Sequence, residues 1–170
     1  MFELKPLSKE AIPRALARAE RYRLLNEPQE AESICRDVVA ADPDNQEALV
    51  MLLLALTDQF GRGSEVTITR AREVLTHLRG EFEHAYYDGV IAERWGKAQL
   101  RMGALGHVAH DWVREAMSLY ERAETVSPPG NEDARLRWNA CARLLEHDTR
   151  LRPRAEDAGI EAGFGDGPPV

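Results

Sequence analysis

The chain has 170 residues, 44% of them hydrophobic and 30% charged, with a net charge of −7, enough for one buried domain or a short repeat array. An acidic balance without a dense Lys/Arg run argues against a nucleic-acid partner, which would call for a basic face. The longest apolar run, Ala48 to Leu56, is too short to cross a bilayer, and "MFELKPLSKEAIPR" places no apolar signal core before its first charges. A cytoplasmic protein with no membrane association is expected. Cys35 and Cys141 lie far apart in apolar helical patterns and read as two buried thiols of a reducing compartment.

Helical periodicity runs through the whole chain. Leu16, Ala19, Tyr22 and Leu24 predict one helix face. Ser8 is the expected cap, and Pro13 is tolerable because it lies near the first turn. "NEPQE" makes a turn, with Pro28 at the first position of a second helix that carries Ala31, Ile34, Cys35, Val38 and Val39 inward and stops before Pro43. A third helix starts near Asn45 and buries Leu49, Leu52, Leu53 and Leu56 before Gly61 and Gly63 break it. Ser64 is placed to cap a fourth, containing Val66, Ala71, Val74, Leu75 and Leu78, which Gly80 ends.

A long helix follows from about Phe82 to Met102, and another from about Val108 to Val126 with Trp112, Ala116, Leu119, Tyr120 and Ala123 inward. After "SPPGN" a last helix takes Glu132 to about His147, with Leu136, Trp138, Ala140 and Leu144. The expectation is all-α: seven helices, no strand, and short loops that favour antiparallel neighbours. Residues 1–150 form one helical domain, and 151–170 are expected to be a flexible acidic Gly/Pro-rich tail.

The acidic break Asp42-Pro43-Asp44-Asn45 is the first candidate for chemistry. A calcium loop fails on spacing, because Gln46 and Glu47 stand where a further oxygen ligand and a turn glycine belong. Punctuation between helices fits: Pro43 cannot continue a helix, and Asp44 or Asn45 can cap the next.

Two stretches repeat. Ala31, Cys35, Val38 and Pro43 share their spacings with Ala116, Tyr120, Ala123 and Pro128. Each set fits the second helix of a helix–turn–helix unit, with proline in the exit turn. Ala19 and Tyr22 take the small and aromatic places of a first helix. On these residues the chain resembles the tetratricopeptide repeat (TPR) family over about Ala11 to Leu145. "AYYDGVIAERWGKAQLRMG" and "ARLRWNACARLL" are similar to small bacterial TPR proteins of undefined function. The resemblance implies a right-handed superhelix of about three pairs, at 11–43, 46–80 and 82–128, closed by a capping helix at about 131–148.

It also implies a concave groove lined by the first helix of each pair. Leu16, Glu20 and Arg23 come from the first pair, Val50, Leu54 and Asp58 from the second, and Tyr86, Tyr87, Val90, Glu93 and Arg94 from the third. Leu136 and Arg143 would be added by the last helix. The bland alternative places Tyr86 and Tyr87 in the core and makes ion pairs of Glu93, Arg94 and Lys97. The lysine- and asparagine-rich clamp by which one TPR subclass grips chaperone tails is missing, since Leu16, Glu20 and Met51 stand at its places.

Catalytic constellations are not found. His107, His110 and Asp111 in "HVAHD" would make a weak metal site if they shared a helix face, but they also read as a helix start with two exposed histidines. "GFGDG" near Gly163 lacks the strand, helix and spacing of a phosphate loop. The expected function is therefore non-enzymatic: a protein-interaction module binding a peptide or helix of a partner, with no cofactor. The alternatives are a self-associating scaffold, a homo-oligomer formed either through an exposed terminal repeat or by capturing the Phe164-bearing tail of a neighbour, and, more weakly, a metal-dependent enzyme using the His/Asp trio.

Overall fold

The computed structural model describes residues 2–62 and 68–151. The expectations for Gly63, Ser64, Val66, the Gly163 motif and the tail from Arg152 onward lie outside the described residues. These form seven α-helices and no strand: α1 (Ile12–Leu24), α2 (Pro28–Ala41), α3 (Gln46–Asp58), α4 (Ile68–Leu75), α5 (Glu81–Arg101), α6 (Gly106–Thr125) and α7 (Asp133–His147). Among the described residues no helix is long and apolar enough to cross a membrane. Each helix packs on the next, and α1 also touches α3, as α3 touches α5.

Local chemistry accounts for most of the boundaries. Pro13 and Pro28 sit in the first turns of α1 and α2, where a missing N–H costs nothing. Ser8 does not cap α1. Its carbonyl accepts the Ala11 N–H at 3.1 Å in a 3-10 turn, Lys9–Ala11, and its hydroxyl makes no capping bond.

Asn45 caps α3 as expected, its Oδ1 accepting the Ala48 N–H at 2.9 Å. The acidic break has a second role. Asp44 pairs with Arg79 at 2.9 Å, and the Gln46 side chain accepts the Arg79 N–H at 2.7 Å and donates to the His77 carbonyl at 3.3 Å. The turn thus ties the start of α3 to the loop ahead of α5.

Burial follows the repeat pattern closely. Ala31, Cys35 and Val38, and equally Ala116, Tyr120 and Ala123, are each 0% exposed. Burial also pushes both thiols, Cys35 and Cys141, up to about 12, which keeps them protonated and unreactive. Helix α3 buries Ala48, Leu49, Leu52, Leu53, Ala55 and Leu56, almost its whole circumference, because α1, α2, α4 and α5 all touch it.

Leu24, expected on the inward face of α1, is exposed, as is Leu136 of α7. Leu24 lies five residues beyond buried Ala19, about 140° round α1, and Leu136 lies two beyond buried Ala134, about 200° round α7. Ala140 of the same helix is also exposed, one residue off buried Cys141.

The tightest seam joins α5 to α6. Ala85, Gly89, Ala92 and Gly96 recur at spacings of four, three and four on α5, and all are buried. A Cβ on Gly89 would lie 2.7 Å from Tyr120 Cε1, and one on Gly96 would lie 2.8 Å from Trp112 Cβ. Only glycine lets the tyrosine ring lie against the helix backbone. Gly89→Ala gains about 1 kcal/mol in helix propensity but overpacks the seam at a cost of about 1–3 kcal/mol. The ring has little room to yield, because its hydroxyl is bound to Glu93 at 2.7 Å. A net loss of up to about 2 kcal/mol is expected in urea unfolding; a variant more stable than wild type would refute this packing.

Candidate functional site

A polar ladder crosses α1, α3 and α5. Asp58, at the end of α3, accepts Arg23 Nε from α1 at 2.8 Å and Arg94 Nη1 from α5 at 2.5 Å. Arg94 also donates to Thr57 Oγ1 at 2.7 Å and to the Leu54 carbonyl at 3.2 Å. Thr57 and Leu54 lie near the C-terminal end of α3, and the Leu54 carbonyl also accepts the Thr57 hydroxyl at 3.0 Å. An arginine is suited to the place, since its planar fork reaches a carboxylate, a hydroxyl and a carbonyl together.

Beside the ladder, one turn along, lies a buried carboxylate. Glu93 on α5 has a side chain only 1% exposed. It accepts the Tyr120 hydroxyl from α6 at 2.7 Å, pairs with Lys97 on the next turn of α5, and lies 3.4 Å from Arg137 on α7. Burial pushes the Glu93 carboxyl up, but Lys97 and Arg137, helped by the hydrogen bonds from Lys97 and Tyr120, outweigh it and hold the group below its ordinary range. The same burial, with the Glu93 charge close by, pushes the Tyr120 phenol up and keeps it a donor.

Between these two clusters opens a cleft of about 240 Å³. Five cations line it: Arg62, Arg94, Lys97, Arg101 and Arg137. Among the described residues Asp58 and Glu93 are the two carboxylates that line it, a local excess of three positive charges in a chain of net −7. Asp58 and Arg62 also border a neighbouring depression with Glu20 and Arg23. The two form one polar trough that runs from α1 across α3 and α5 to α7. Among the described residues, no buried side-chain nitrogen or oxygen lacks a hydrogen-bond partner.

The trough gathers Glu20, Arg23, Asp58, Glu93 and Arg94 from the residues singled out in the sequence. Other expected members are elsewhere. Leu16 packs with Ile12, Val38 and Ala48 in the core. Val90 is 1% exposed, among Ala85, Val113 and Met117. Both belong to the inward side of their helices and are removed from the groove. Val50 and Leu54 are half-buried against the core. Tyr86 is half-buried in an aromatic cluster, stacked on Phe82 and tilted against Tyr120, and Tyr87 meets its edge with centroids 5.1 Å apart. Arg143 and Leu136 are exposed on α7, and α7 lines the cleft with Arg137 instead.

Arg62, Arg101 and Arg137 are the members that sequence inspection missed. Their one signal is that arginine persists on successive helices while lysine is nearly absent; Lys5, Lys9 and Lys97 are the chain's three lysines. The His107, His110 and Asp111 trio is not drawn together. His110 Nδ1 lies 3.4 Å from Asp111, and among the described residues no three His, Cys, Asp or Glu side chains are grouped to hold a metal.

No family model matches the chain, and neither a curated protein nor a solved structure matches it.

Proposed function

We propose that this protein is a non-enzymatic interaction module, built of TPR-like helix pairs, that binds a peptide or helix of a partner protein along the polar trough. One observation carries the reading: a continuous, positively charged trough crosses α1, α3, α5 and α7 of an acidic chain. Support for the repeat arrangement comes from the Arg23–Asp58–Arg94 ladder, which joins the first helices of three successive pairs. The trough is built on helix faces, so binding calls for little backbone ordering. Its arginines suit carboxylate recognition and enrich interface hot spots.

Tyr87 and Arg94 are poor sites for a test, because both are half-buried and Arg94 holds three groups of α3. Arg62 and Arg101 are exposed at the rim. Affinity capture from a lysate of the source organism is expected to enrich a protein with wild type and to lose it with Arg62→Glu/Arg101→Glu, at unchanged melting temperature. A partner retained equally by both chains would remove the trough from the function.

A further inference from the structure

The chain leaves α7 beside the basic cleft. After His147, a 3-10 turn, Thr149–Leu151, returns the backbone onto α6. A Cβ on Gly106 would lie 1.8 Å from the Arg150 carbonyl oxygen, so the exit segment lies directly on the first turn of α6. Leu151, 1% exposed, anchors it. Leu151 lines a depression with Leu100, Val113 and Leu144, and Lys97 and Arg101 border that depression. The same two cations border the basic cleft. Leu151 therefore lies at a ridge whose far side is the cleft.

The sequence that follows is suited to that neighbour. Beyond Arg154 it holds Glu156, Asp157, Glu161 and Asp166 and no lysine or arginine. An extended chain covers about 3.3–3.6 Å per residue, so Glu156 reaches about 17 Å from Leu151 and the later carboxylates farther. A short tether also raises the effective concentration of the segment at the cleft to the millimolar range, so weak ion pairs suffice to hold it. Arginine and lysine in the cleft outnumber the carboxylates there by three, and the segment brings four.

We propose that the segment Glu156–Asp166 docks in cis over the Lys97, Arg101 and Arg137 side of the cleft, as a built-in occupant that a partner must displace. The displacement rests on the partner-binding reading above; the occupancy does not.

Lys97 makes the occupancy directly readable. Zero-length carbodiimide coupling of the full chain, followed by peptide mass spectrometry, joins an amine only to a carboxylate in contact with it. Lys5 and Lys9, exposed at the other end of the chain, are reference amines. Links from Lys97 to Glu156, Asp157, Glu161 or Asp166 are expected at roughly ten times the yield of links from the reference lysines, given the tethered concentration. They are expected to vanish at about 1 M salt, where the Debye length is about 3 Å. In an equal mixture of ¹⁵N-labelled and unlabelled protein, the links are expected to join peptides of one label only. Absence of Lys97 links, or equal yields from all three lysines, would overturn the docking. Links between differently labelled peptides would overturn its cis character and assign the cleft to the segment of a second copy. No partner enters the measurement, so its outcome is separate from that of the capture experiment.

Discussion

Glu93→Ala is expected to cost about 3–5 kcal/mol of unfolding free energy, the range for breaking a buried charge pair by removing one member. The carboxylate is 1% exposed and is shared by Tyr120, Lys97 and Arg137. Its removal leaves a buried hydroxyl without an acceptor and two cations without their counter-charge. Glu93→Gln retains the shape and an acceptor for Tyr120, so it is expected to fall between alanine and wild type. The pH dependence separates charge from shape. Because the folded group titrates below its ordinary value of 4.5, its charge contributes full stability above about pH 4.5 and loses it as pH falls through the folded pKa. Glu32 behaves likewise. Burial raises it, but hydrogen bonds from Gln59 and Arg36 and the charges of Arg36 and Arg70 bring it lower, so acid sensitivity is reduced in Glu93→Gln rather than abolished. Denaturant midpoints from pH 7 to pH 3 provide the check. An acid slope in Glu93→Gln equal to that of wild type would mean that the carboxylate's charge does no net work in the fold.

Asp58→Ala is the second large effect, and it acts across α1, α3 and α5. Arg23 and Arg94 converge on this carboxylate from α1 and α5. Burial lowers the pKa of Arg94, and while Asp58 opposes that, Arg137 and Arg23 add to it. Without Asp58, two arginines face each other across the ladder. The expected loss is about 2–3 kcal/mol, less than for a fully buried pair because the Asp58 side chain is 24% exposed and water screens what remains. The coupling is read from a cycle: Arg23→Ala is expected to cost less in the Asp58→Ala background than in wild type. Strict additivity would dissolve the ladder as an energetic unit. The two lesions are also expected to differ in reach. Glu93 closes contacts of α5 with α6 and α7, whereas Asp58 holds α1, α3 and α5 together.

Local rules made much of the fold legible. Pro28 opens α2, Asn45 caps α3 and Pro43 separates them, because each acts within one turn of its own position. Repeat spacing was equally readable. Residues three and four apart share a helix face, so Ala31, Cys35 and Val38 and their counterparts Ala116, Tyr120 and Ala123 identify themselves as packing positions, and all six are fully buried. The same periodicity is blind to what a face meets. The groove implied by the resemblance grouped Leu16 with Glu20 and Val90 with Arg94, yet the core takes Leu16 and Val90, because a helix wedged between neighbours buries more than one stripe.

Much of the candidate site depends on long-range meetings. Asp58 joins Arg23 from 35 residues away and Arg94 from 36, and Glu93 meets Tyr120 at 27 and Arg137 at 44. No local pattern announces such pairs, since any of 19 arginines could have met any carboxylate. The small stripe Ala85-Gly89-Ala92-Gly96 shows the same division. Its spacing stands in the sequence, but its purpose, to admit the Tyr120 ring and deliver the hydroxyl to Glu93, emerges only when α6 lies against it. The sequence by itself determined that the described residues are helical, where prolines and Asn45 punctuate the first three helices, and which small residues recur. Tertiary structure alone decided which charges are buried together and that the cations surplus to those pairs line one trough. Hydrogen bonding along a helix is local and is written in nearest neighbours, whereas electrostatic pairing is settled by whichever helices pack side by side.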